Sequence, residues 1–273
     1  MRKLRTGWVA LAAIATTGYY AAIILFTSVV PAWRHQRCGH WAQGWSAVLL
    51  RAAGVTVTST GLDRVDPRRS QIVVSNHQSW FDVLALFATF PTSLRFVAKE
   101  ELRSVPVFGK AILRCGHIAI DRRNRHSAIE SLQRAARRLR ERTLHVVMFA
   151  EGTRSPTGEL QPFKKGAFVL ALETRTPVLP VAVVGSRAVM PKHSYAIRSG
   201  EIEVRVGEPI EVGDLTMSDR NALRDRARQA VADLIAGPSP GQADGALALP
   251  LAPAAPATGP DIKEEQPCPR SRK

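Results

Sequence analysis

The residues best suited to chemistry stand in VVSNHQSWFDVLALF, residues 73–87, where an apolar run stops at Asn76 and His77 and resumes after Asp82. His77 and Asp82 are five positions apart. On one continuous helix that spacing turns two side chains about 140° away from each other, so the pair can meet only if the chain bends between them. If QIVVS at 71–75 is a strand, Asn76 to Ser79 is a turn and Asp82 falls in the first turn of a helix, where the dipole favours a carboxylate. From there it can reach back to the imidazole. A carboxylate on one ring nitrogen fixes the tautomer and leaves the other nitrogen free as a base. A capping carboxylate beside a satisfied histidine explains a bare H-x-x-x-x-D equally simply, so the reading needs support elsewhere in the chain.

Two further stretches offer it. FAEGTRSPTG at 149–158, followed by FKKGAF at 163–168, reads as a buried strand opening into a loop with Glu151, Gly152, Thr153, Arg154, Ser155, Lys164 and Lys165. Glycines that let backbone N–H groups point inward, together with Arg and Lys, suit a phosphate monoester. Arg154 has the bidentate geometry for it, and Glu151 could hold that guanidinium in place. An ordinary polar surface loop is the bland alternative. The third stretch runs from Ala98 to Arg123, with Lys99 after the strand RFVAK and Arg122 and Arg123 after HIAI. Ligands of α/β sheets gather near the carboxyl ends of strands. Solvated charge is the simpler account of Arg123, while Lys99 and Arg122 stay open.

The elements that must position these groups are short β-branched runs alternating with helical patterns. Strands are expected at 55–60, 71–75, 95–99, 117–120, 145–150, 178–185 and 201–207, and helices at 82–90, 127–142 and 218–236. That alternation predicts an α/β domain, a mixed central sheet flanked by helices. In the helix at 127–142, Ile129, Leu132, Ala136 and Leu139 form the apolar stripe. Ser218 is the expected N-cap of the closing helix, with Gly237 and Pro238 as its stop.

The first fifty residues differ. From Trp8 to Val30 no side chain is charged, a run about as long as a bilayer-spanning helix requires. It ends at Pro31, Trp33, Arg34 and Arg37, an interfacial anchor rather than a cleavage site. Basic residues flank both ends, so a spanning helix and one that dips in and returns fit equally, the latter with 32–50 as a second, interfacial helix. The expected organisation is an anchor at 1–51, a catalytic-size domain at 52–236 and a disordered Pro/Ala-rich tail at 237–273. Gly237, Ser239 and Gly241 in that tail match G-x-S-x-G, but prolines flank the serine and no strand precedes it. Cys38, Cys115 and Cys268 are far apart without C-x-x-C spacing, which suggests neither a disulfide framework nor a zinc site, and a reducing compartment. A net charge of +15 draws the surface to polyanions, but no nucleic-acid module or interleaving of basic and aromatic residues accompanies it.

NHQSWFD, the segment from Lys99 through Pro106, Gly109 and Gly116 to Ile120-Asp121-Arg122, EGTRS with FKKGA, and VLPVAV at 178–183 resemble, in order and approximate spacing, the four blocks of the glycerolipid acyltransferases. The sequence is similar to that of 1-acylglycerol-3-phosphate acyltransferases over about residues 55 to 210. One departure is Ala150, where the family usually has proline. The resemblance implies transfer of a fatty acyl group from an acyl-CoA or acyl carrier protein thioester to the sn-2 hydroxyl of lysophosphatidic acid, with His77 as base and Asp82 orienting it. It implies an acceptor phosphate held by Lys99, Arg122 and Arg154, with Glu151, Gly152, Thr153 and Lys164 around it, and no metal or bound cofactor. The VLPVAV block would shape the acyl-donor site or be only a core strand. Anionic membrane lipids would be the partner of the basic surface, at a bacterial inner membrane with the site on the cytoplasmic side. Relatives with the same blocks acylate glycerol-3-phosphate, other lysophospholipids or lyso-aminolipids, and a lipid hydrolase using the same His and Asp is a reading of a different class.

Overall fold

The computed structural model describes residues 2–29, 34–121, 125–238 and 247–248. Two helices come first, α1 (Arg2–Thr27) and α2 (Arg34–Ala53), packed against each other as a hairpin. Then follow β1 (Val55–Thr60), β2 (Gln71–Ser75), α3 (Phe81–Thr89), β3 (Leu94–Lys99), α4 (Phe108–Arg114), β4 (Ile118–Ile120), α5 (Arg125–Glu141) and β5 (His145–Phe149). The chain continues through α6 (Gly166–Thr174), β6 (Val178–Val184), α7 (Ser186–Val189), β7 (Gly200–Val206) and α8 (Arg220–Ala236) to a two-residue edge strand, β8 (Leu247–Ala248). The sheet order is β4-β3-β5-β2-β6-β7-β1-β8. Strands β4, β3, β5, β2 and β6 run parallel, β7 is antiparallel to β6 and parallel to β1, and β8 adds antiparallel to β1.

Sequence dictates this layering directly. Every residue of β2 is buried, as expected of a parallel strand covered on both faces. Alternate residues serve two cores: Val73 joins Leu179, Ile202 and Val204 under α2 and α3, while Ile72 and Val74 join Val146, Phe168 and Val178 under α5, α6 and α8. The register matters for the site. Ser75 stands opposite Phe149 in β5 and Val181 in β6, so the residues that follow β2 emerge beside those that follow β5.

Three expectations need correction. Cys38 and Cys115 form a disulfide joining α2 to the end of α4, with Cα atoms 5.5 Å apart across 77 residues of sequence. Packing of distant elements brings them together, which sequence spacing does not reveal, and the basis for expecting a reducing compartment goes with it. Ile129 is exposed, because the buried face of α5 is centred on Ser131, Ala135 and Leu139 and Ile129 points about 120° away from that centre. Thr216, rather than Ser218, caps the closing segment, sharing a capping box with Asp219 over a short 3-10 turn before α8. Helix α2 runs through the boundary drawn at 51–52, with Leu50 and Ala53 fully buried in the sheet's own core. In the tail, Leu247 and Ala248 pair with Ser59 and Thr58 of β1. Arg122, Arg123, Pro31, Trp33 and Ser239 lie outside the described residues.

Candidate active site

The loop between β2 and α3 is held by hydrogen bonds at nearly every residue. Asp82, fully buried in the first turn of α3, accepts through Oδ2 from His77 Nδ1 at 2.7 Å, Gln78 N–H at 2.7 Å and Ser79 N–H at 2.9 Å. One carboxylate oxygen thereby fixes both the turn and the ring. A proton on Nδ1 directed at Asp82 leaves Nε2 as the ring's available base. Asn76 acts as a backbone surrogate, its amide exchanging two hydrogen bonds with Val183 N–H and C=O at 2.8 and 2.9 Å. Ser79 Oγ donates to Met190 O and receives Phe81 N–H.

The loop after β5 grips His77 from the other side. Glu151 Oε1 accepts the His77 N–H at 2.8 Å, and the His77 carbonyl accepts Ser155 N–H at 2.7 Å. Phe149 stacks on the imidazole, centroids 3.9 Å apart and planes 12° from parallel. The expected Glu151–Arg154 pairing is replaced: Glu151 is buried and its second oxygen accepts Gln161 N–H at 3.3 Å. Burial raises the Glu151 pKa to about 7, against the lowering effect of those two backbone donors. Arg154 instead lies over the Trp80 ring, 5.0 Å from its centroid. Gly152 has φ of +75°, and a Cβ there would stand 2.7 Å from the Lys164 chain, so Lys164 fills the space beside this glycine. Ala150 uses its N–H, which a proline lacks, to donate to Ser75 O at 3.3 Å.

A cavity of about 490 Å³ opens at His77. Trp80, Lys99, Thr153 and Arg154 border it with the imidazole, so the structure brings together His77, Lys99, Thr153 and Arg154. Lys99 Nζ is paired with Glu101 at 2.6 Å. Gly152, Glu151 and Lys164 stand behind that rim rather than on it, and Val178–Val183 is a buried core strand that does not line the cavity. Away from the rim the wall is apolar. It is built by Phe87, Phe96 and Phe108 and, unexpectedly, by the hairpin: Val9, Ala13, Thr17 and Ala21 of α1 recur every fourth residue along one side, with Trp45 of α2.

Sequence reading treated that hairpin only as an anchor. The i, i+4 stripe of small residues was a usable signal, masked by the uniform apolarity of the run. Phe149, Ser155 and Gln161 were also missed as supports of His77, since their role depends on the register of β2 and β5.

A family model described as Acyltransferase matches residues 56–184. A Cocos nucifera protein named 1-acyl-sn-glycerol-3-phosphate acyltransferase is 32% identical over 75% of this chain, and the match spans 66% of that protein, just under two thirds of its length. The Caenorhabditis elegans protein named "Putative 1-acyl-sn-glycerol-3-phosphate acyltransferase acl-2" is 30% identical over 77% of each chain. The crystal structure of the 1-acyl-sn-glycerophosphate acyltransferase PlsC from Thermotoga maritima superposes with a TM-score of 0.75 at 25% identity, covering 88% of this chain and all of that one. With a polar His/Asp loop, a basic rim and an apolar chamber on one mixed sheet, this chain belongs to the acyltransferase family of the 1-acyl-sn-glycerol-3-phosphate acyltransferases.

Proposed function

We propose that the protein transfers a fatty acyl group from an acyl-CoA or acyl carrier protein thioester to the free hydroxyl of 1-acylglycerol-3-phosphate, giving phosphatidic acid. The observation that carries this reading is the placing of one oriented imidazole at the junction of a basic rim and an apolar chamber. His77 Nε2 accepts the proton of the acceptor hydroxyl while Asp82 stabilises the imidazolium. The oxygen attacks the thioester carbonyl, the C–S bond breaks as the tetrahedral species collapses, and the imidazolium returns its proton to the departing thiolate. No enzyme nucleophile is needed because the acceptor supplies the oxygen. Arg154, steadied by Trp80, and Lys99 receive the acceptor phosphate at the rim, and the chamber takes the acyl chain of the donor.

The membrane seat follows from α1. Among the described residues, Leu4–Thr27 is the one stretch long and apolar enough to cross a bilayer. Its side away from the cavity exposes Leu4, Trp8, Leu11 and Ile14, while Arg5 donates to Ser199 and Thr6 accepts from Ile197 N–H. A helix fastened along the domain in this way favours immersion in one leaflet over crossing, with the basic surface on anionic headgroups.

The test is transfer from a long-chain thioester to a panel of lysolipids and glycerol-3-phosphate. His77→Ala is expected to lower kcat about a thousandfold, and Arg154→Ala to raise the KM for lysophosphatidic acid about tenfold with the donor KM little changed. Full activity in His77→Ala, or thioester cleavage that needs no lysolipid, would overturn the mechanism.

A further inference from the structure

Three polar groups interrupt the apolar wall of the chamber away from its rim: Thr17, Tyr20 and His117. One is turned to other work: Thr17 Oγ1 accepts from Trp45 Nε1 at 3.0 Å, while the Tyr20 hydroxyl lies beside Gly44 of α2. His117 is different. The Phe96 N–H donates to its Nδ1 at 2.9 Å, so the neutral ring carries its proton on Nε2. Burial, reinforced by the charge of Arg95, pushes its pKa down to about 3, and the ring is neutral at any working pH.

Nε2 has no protein partner among the described residues, yet it is not one of the sealed, unsatisfied polar atoms of the interior. Since His117 borders the chamber, this N–H is the ring's one polar hydrogen available to a chamber ligand. Its depth is marked by a row of rings leading inward from the catalytic imidazole: His77 to Phe149 at 3.9 Å, Phe149 to Phe96 at 6.0 Å, Phe96 to His117 at 6.1 Å. Phe87 meets the His117 ring at 88°, centroids 6.0 Å apart, and with Phe96 gives it two aromatic neighbours.

An acyl chain made only of methylenes, once it fills the chamber, strips water from this N–H and leaves a buried donor unpaired. A chain carrying an oxygen at the same depth satisfies it. The asymmetry between a satisfied and an abandoned donor is what discriminates strongly between otherwise similar ligands. We infer that His117 is a specificity-determining residue that selects acyl donors whose chain bears a hydroxyl or keto oxygen three rings in from His77. This rests on the reading that the chamber takes the donor's acyl chain.

The experiment uses the full-length protein in detergent or vesicles, with lysophosphatidic acid as acceptor. Donors are coenzyme A thioesters of equal carbon number, one saturated and the others with a single hydroxyl moved stepwise along the chain. In the wild type kcat/KM for the hydroxylated donor is expected to exceed the saturated one by about tenfold at one position or two adjacent ones, and to fall below it elsewhere. In His117→Phe that ratio is expected to drop below one at the same position. In His117→Asn, which keeps an amide donor and an acceptor for the Phe96 N–H, part of the preference should survive. Saturated donors favoured at every position in the wild type, or an unchanged ratio in His117→Phe, would overturn the inference. Should His117→Phe lose its fold by circular dichroism, the wild-type scan with His117→Asn decides alone. Failure of every thioester to acylate any lysolipid would sink the reading of the chamber itself, and this inference with it.

Discussion

Around His77 almost every polar atom is tied to a partner: the ring to Asp82, the N–H to Glu151, the carbonyl to Ser155, and the neighbouring Asn76 to both backbone groups of Val183. The chamber wall is held mostly by apolar contact between small α1 residues, phenylalanines and Trp45, with the Thr17–Trp45 hydrogen bond and the Cys38–Cys115 link as exceptions. Hydrogen bonds are directional and fix a reacting atom within tenths of an ångström, whereas apolar contact fixes only volume. In the proposed reaction the base therefore sits in the rigid region and the variable part of the substrate in the tolerant one.

The sharpest way to break this contrast is Asp82→Ala, which removes the acceptor of three donors at once. Transfer is expected to fall about a thousandfold while bound-donor affinity changes little. Retained kcat would mean that the polar loop does not orient the base. Next, Cys38→Ser cuts the link between α2 and α4 and should lower unfolding stability by about 3 kcal/mol, read by chemical denaturation of the oxidised proteins.

Glu151 gives a pH signature of the polar region. Its native pKa of about 7 lies above the ordinary 4.5, so the native state holds this proton more tightly than the unfolded chain. The group's contribution to stability is full below about pH 4.5 and is lost as pH rises towards 7, by about 2 kcal/mol. Glu151→Gln should flatten that slope in thermal melts recorded across the interval, and an unaltered slope would assign it elsewhere. The smallest effect belongs to the tolerant wall. Ala13→Leu puts bulk into the chamber and should shift preference towards shorter acyl chains by about tenfold in kcat/KM, leaving the unfolding midpoint within a few degrees.

How much of this could be read beforehand follows the same division. His77 and Asp82 were visible because a polar island between two apolar runs is a local feature, and the strand assignments held because buried parallel strands are continuous apolar segments. Glu151 was misassigned to Arg154 because its true partner, the His77 N–H, is 74 residues away and is brought near only by the pairing of β2 with β5. The chamber was hidden for another reason. In a run with no polar face, nothing in residue type distinguishes the side of α1 that meets the chamber from the side left exposed, except the small size of Ala13, Thr17 and Ala21. His117 was passed over because a histidine in a β-branched strand reads as filler until its two ring nitrogens are seen to do different things.

The Cys38–Cys115 bond also sets how the chamber can breathe. It closes the chain from α2 to the end of α4 into a covalent ring that contains the His77 loop, and it pins α2 to the end of α4 at that point. Helix α1 stands outside that ring, fastened by its packing and by the contacts of Arg5 and Thr6. Helix α1 is therefore the helical wall of the chamber that this covalent link leaves unconstrained.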